Sequence, residues 1–82
     1  MRKKYKYSYT ICNQPDEEIF YKQCKALEKY LPGLIKEKLL EDIDGSLYQK
    51  YQHNKGEIIV CNHIPIGAVY VDSDFDLLLY FE

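Results

Sequence analysis

Tryptophan is absent from this chain and methionine occurs once, so any core must be assembled from aliphatic side chains, nine tyrosines and three phenylalanines. Those flat, amphipathic rings are enriched both in sheets and at protein contacts. Catalytic signatures are missing as well. There is no G-x-S-x-G, no G-x-x-x-x-G-K-S/T, no G-x-G-x-x-G and no H-E-x-x-H, which removes the common nucleophile elbow, phosphate loop, dinucleotide fingerprint and zinc-protease helix. No enzymatic activity is expected, and no cofactor is implied. The only nucleophile and base combinations pair Cys12, Cys24 or Cys61 with His53 or His63, and a chain this short has little room for a closed substrate pocket.

The thiols also lack the pattern of a metal or redox site. Cys12, Cys24 and Cys61 are odd in number, show no C-x-x-C spacing and fall at positions predicted to be packed, so they read as reduced core thiols. Zinc would need four converging ligands, and Cys61-Asn62-His63 reads more simply as a hairpin turn. Asp72-Ser73-Asp74-Phe75-Asp76 echoes the start of a calcium loop. However, Leu77 stands where that loop needs glycine, and its twelfth position falls beyond Glu82. No metal is predicted. Arg2-Lys3-Lys4 is followed by Tyr5-Lys6-Tyr7-Ser8-Tyr9-Thr10 rather than by an apolar stretch, and the longest later apolar run is Leu77 to Phe81. The expectation is a cytoplasmic protein without a membrane partner.

What is present bounds the fold. At 82 residues, residues 1–82 make one domain, near the lower limit for a single core without staples. A hydrophobic content of 46% with 29% charge excludes wholesale disorder. The net charge of −2 hides an asymmetry: residues 1–10 carry Arg2, Lys3, Lys4 and Lys6 without an acid, and residues 61–82 carry four acids without Lys or Arg. Pairing of the first and last strands would cancel much of it.

Residues 4–12 alternate, with Tyr5, Tyr7, Tyr9 and Ile11 on one face and Lys4, Lys6, Ser8 and Thr10 on the other, which predicts a half-buried strand. Asn13 to Glu18 then supplies a capping side chain, a proline in the first turn and three acids where the helix dipole favours them, the start signal of a helix. Phe20, Cys24, Leu27 and Leu31 follow helical spacing and form its core stripe. Pro32-Gly33 breaks the helix, and Leu34-Ile35, Leu39-Leu40 and Ile43 recur at near-helical spacing, which predicts a second, shorter helix. Beyond Ser46, turn signals at His53-Asn54-Lys55-Gly56, Asn62-His63 and Asp72-Ser73-Asp74 divide the chain into four strands, the last over residues 75–81. The expected class is α+β, two-layered, with a mostly antiparallel four- to five-stranded sheet and one broken helix in the order β-α-(α)-β-β-β-β.

The strands between Glu57 and Glu82 are apolar on both faces, whereas one helical region stands upstream to cover them. An uncovered face carrying Val69, Val71, Leu78 and Tyr80 would mark an interface, with Asp72, Asp74 and Asp76 as an acidic rim that steers encounter. The alternatives are that the second helix wraps that face or that the strands close into a barrel. The first functional expectation is therefore a non-catalytic protein-binding module whose partner is another protein or a second copy of the chain. Small chains of this plan often serve as inhibitors, immunity proteins or accessory subunits of mobile elements, an analogy that assigns no residue. The second is a single-strand nucleic-acid-binding or polymerase-accessory domain using Arg2, Lys3, Lys4, Tyr5, Lys6, Tyr7 and Tyr9, which interleave cations with aromatics. Strand alternation sends those two residue types to opposite faces, and the chain is acidic overall.

Overall fold

Six strands and one helix form in the order β1 (Tyr7–Cys12), α1 (Glu17–Tyr30), β2 (Ile35–Lys36), β3 (Leu40–Glu41), β4 (Leu47–His53), β5 (Gly56–His63) and β6 (Ala68–Ser73) in a computed structural model that describes residues 4–78. All pairings are antiparallel, and the sheet order is β1-β6-β5-β4-β2, with β3 also on β4. The α+β class with a mostly antiparallel sheet is as the sequence predicts. No helix among the described residues is long and apolar enough to cross a membrane.

The helix begins within the signalled segment, with Pro15 ahead of the cap rather than in the first turn. Asp16 is the N-cap, its Oδ1 accepting from the Ile19 N–H at 3.1 Å, and Glu17 and Glu18 lie in the first turn, where the helix dipole favours negative charge. The Asp16 N–H donates to Oδ1 of the buried Asn62 at 3.0 Å, which pins the start of α1 onto β5. The inward stripe of Phe20, Cys24, Leu27 and Leu31 lies at 5% exposure or less over Leu47, Tyr51, Ile58, Val60, Val69 and Val71. That layer is the core. Tyr51 keeps its hydroxyl satisfied by donating to Glu28 Oε2 at 2.6 Å, and Lys36 Nζ approaches the same oxygen at 3.3 Å. The Tyr51 hydroxyl is the main cause that holds the Glu28 carboxyl below its ordinary range.

Two expected elements are corrected. The short helix predicted after Pro32-Gly33 does not form; Ile35–Lys36 and Leu40–Glu41 instead pair with β4. The reason is tertiary. β4 would otherwise be an unpaired edge, and two short strands separated by Glu37 to Leu39 satisfy its backbone while exposing Ile35, Leu40 and Ile43. The strand expected over residues 75–81 is absent from the sheet where the chain is described, up to Leu78. β1 already occupies the edge of β6 that this strand would need. The turn predicted at Asn62-His63 lies further along the chain: both residues belong to β5, and the reversal spans residues 64–67.

Candidate protein-binding face

Strand register sorts the side chains into two faces. Leu47, Gln49 and Tyr51 of β4, Ile58, Val60 and Asn62 of β5, and Val69, Val71 and Ser73 of β6 turn toward α1. Their neighbours turn the other way, where no element among the described residues covers them. Across that open face one rung runs Leu40, Tyr48, Cys61, Tyr70, Thr10, and the next runs Lys50, Ile59, Asp72, Ser8.

These rungs, Thr10 excepted, line a concavity of about 610 Å³ together with Lys4, Tyr5 and Asp42. Tyr48 and Tyr70 are half-buried, and His63 sits between them, with ring centroids 6.1 Å from Tyr48 and 6.3 Å from Tyr70. His63 is held by the Ile66 N–H, which donates to its Nδ1 at 3.2 Å. Tyr5 donates its hydroxyl to Glu57 Oε2, and Gln52 Nε2 donates to the other carboxylate oxygen at 3.0 Å. Burial, then the carboxylate beside it, pushes the Tyr5 phenol pKa upward. Asp72 is the exception in this network, because its Oδ1 is buried and accepts no hydrogen bond.

The residues singled out from sequence are distributed over several surfaces. Val69 and Val71 are corrected: at 0% and 1% exposure they belong to the core beneath α1 and are closed to any partner. The pleat decides this, since Val60 and Asn62 opposite them also face the helix. Asp74 accepts the Glu57 N–H on Oδ2 at 2.8 Å, while its own N–H donates to the Glu57 carbonyl. Asp76 accepts from the Tyr9 hydroxyl at 2.8 Å and from the Leu78 N–H at 3.0 Å. Both carboxylates thus tie down the chain after β6. Leu78 is exposed, but it borders a smaller groove of about 240 Å³ with Tyr9, Ile11, Gln23 and Ala26. Tyr80 lies outside the described residues, as do Arg2 and Lys3.

The predicted tyrosine face of the N-terminal strand is also corrected. The chain bends at Lys6, before β1 begins, so Tyr5 joins the open face. Tyr7 and Tyr9 turn to the helix side, their rings stacked with centroids 6.5 Å apart. Lys6 Nζ lies 5.6 Å from the Tyr7 ring centroid. Lys4 reaches the open face.

Sequence reasoning does not single out Tyr48, Lys50, Ile59 and Tyr70. Their signal is the strict alternation within β4, β5 and β6; missing is knowledge of which phase α1 covers. Cys12, Cys24 and Cys61 are reduced thiols that form no disulfide, and burial pushes that of Cys24 upward. Among the described residues, no group of three or more His, Cys, Asp or Glu side chains gathers to hold a metal. Compared with protein-family models, with curated proteins and with solved structures, the chain matches none.

Proposed function

We propose that this chain is a non-catalytic protein-binding module, an inhibitor or accessory subunit by class, and that it binds through the uncovered sheet face. The observation that carries the reading is the one-sided layer: α1 packs on one face, while Tyr5, Tyr48 and Tyr70 surround a concavity on the other. Tyrosine offers large, stiff, amphipathic contact area, and apolar side chains exposed along its border extend a patch of the kind that marks interfaces. Here Leu40 and Ile35, 50% and 67% exposed, supply that border along β3 and β2. The mixed signs of Lys4, Lys50, Asp42 and Asp72 around one concavity suit a protein surface of mixed charge better than a uniformly anionic backbone.

One observation favours nucleic acid as a second reading, namely Lys4 and Lys50 beside Tyr5, Tyr48 and Tyr70. Salt separates the two, because counterion release makes nucleic-acid binding fall steeply with ionic strength.

The test is affinity capture from the native cell with three proteins: the unaltered chain, a Tyr48→Ala, Tyr70→Ala, Lys50→Glu variant of the open face, and a Lys22→Glu, Lys25→Glu control on the outer surface of α1. The expected result is a defined captured protein, lost with the open-face variant and kept with the control. Identical capture by all three would sink the proposal, as would salt-sensitive retention of a labelled single-stranded oligonucleotide with no captured protein. Circular dichroism of each variant separates lost contact from lost fold.

A further inference from the structure

We infer that the concavity beside Asp72 is a receptor for one basic side chain, an arginine above all, presented by the protein partner; this rests on the reading of the open face as a protein-binding surface. Buried carboxylate oxygens are nearly always hydrogen-bonded, because leaving one unpaired forfeits its solvation without compensation. Asp72 Oδ1 breaks that rule in the wall of the concavity of about 610 Å³ on the open face. Its neighbours do not supply the donor. Tyr5 spends its single hydroxyl proton on Glu57, and Ile59, which stands between Asp72 and Lys50 in the register, has no polar side-chain atom.

A cationic donor suits a carboxylate best, because hydrogen bonds between charged partners are roughly twice as strong as neutral ones, and aromatic walls add to that preference. Tyr5, Tyr48 and Tyr70 line the same cavity as Asp72, and aromatic faces attract ammonium and guanidinium groups. A guanidinium suits the site best, since its planar fork can stack on a tyrosine while donating to a carboxylate. Lys4 and Lys50 on the rim set the limit of this preference. They repel a run of basic residues, so the receptor takes a single basic side chain with neutral or acidic neighbours.

The probe is a blocked pentapeptide with one central arginine between alanines, titrated into the isotopically labelled chain and followed by amide chemical shifts. Its counterpart carries citrulline, which keeps the shape and removes the charge. Saturable shifts are expected at residues 59–61 and 70–72, with the arginine peptide binding at least about tenfold tighter than the citrulline peptide, a gap of about 1.4 kcal/mol. Asp72→Asn is expected to erase that gap, whereas Glu18→Gln, on the solvent side of α1, preserves it. Because Asp72→Asn removes the charge from a carboxylate whose Oδ1 is buried and unpaired, its thermal midpoint should equal or exceed that of the unaltered chain. Equal binding of the two peptides, shifts confined to another surface, the absence of any shift, or a lower midpoint for Asp72→Asn would each overturn the inference. A captured protein lost with the open-face variant, combined with no arginine preference, would leave the binding reading standing and remove only this one.

Discussion

Replacing Gly56 by alanine probes the joint between the β4–β5 hairpin and the turn after β6. Gly56 has φ +143°, and a Cβ built there would lie 2.5 Å from Asp74 Cβ and 3.0 Å from Asp74 Oδ2. Two costs follow. A non-glycine residue held in that backbone region is strained by about 1–3 kcal/mol, and relieving the overlap by shifting packed atoms adds about 1–3 kcal/mol. A domain of this size loses about 4–8 °C of thermal midpoint per kcal/mol, so Gly56→Ala should melt at least ~10 °C lower by circular dichroism. The steric share can be isolated with Asp74→Gly, which removes the opposing Cβ. That substitution also loses the 2.8 Å hydrogen bond from the Glu57 N–H, a bond to a charged acceptor worth about 1.5–3 kcal/mol. The double variant should nonetheless be more stable than the sum of the single losses by about 1 kcal/mol or more, because the overlap disappears while backbone strain remains. Additivity within about 0.5 kcal/mol would refute the close approach, and a single-variant loss below about 1 kcal/mol would refute the strain.

Phe20→Ala, at a side chain with 0% exposure at the centre of the helix stripe, should cost about 3–5 kcal/mol and leave the chain largely unfolded near physiological temperature, as read by denaturant titration. The Glu28 carboxyl is held low by the Tyr51 hydroxyl and then by Lys36, so it binds its proton less readily folded than unfolded. Its stabilisation is present above about pH 4.3 and fades as pH falls through the lowered value; Tyr51→Phe should therefore make stability less sensitive to acid over that window. At the alkaline end, the phenols of Tyr5, Tyr9 and Tyr51 are all raised, chiefly by burial. Their stabilisation is complete below about pH 10 and is lost as pH rises through the raised values, so phenolate absorbance should show late-titrating tyrosines that ionise together with unfolding.

The parts of the fold governed by local chemistry were legible. The acidic first turn and the Phe20, Cys24, Leu27, Leu31 rhythm define α1 without tertiary knowledge, although Asp16 is the cap rather than a first-turn acid, and alternation located β1, β4, β5 and β6. The segment from Leu34 to Ile43 misled because its apolar spacing fits a helix as well as two short strands, and the demand of β4 for an edge partner decided between them. The candidate site was less legible, for the same physical reason. Alternation separates Ile58 and Val60 from Ile59 and Cys61 but is silent on which pair meets the helix. Only the joint register of β4, β5 and β6 places Val69 and Val71 in the core and Tyr48, Ile59 and Tyr70 outside. Asp74 and Asp76 read as rim charges from sequence because the groups that donate to them, the Glu57 N–H and the Tyr9 hydroxyl, are remote along the chain.

The pairing of β1 with β6 sets an order of events during synthesis. β1 leaves the ribosome before every other described strand, yet its only sheet neighbour is the last of them. The β4–β5 and β5–β6 hairpins can zip from their own turns, whereas β1 must close a loop around everything else, the slow kind of step in folding. The N-terminal strand is therefore expected to join the sheet late. A peptide covering residues 4–13 should be able to complete a chain that lacks them, which turns the seam between β1 and β6 into a site for splitting the protein and rejoining it at will.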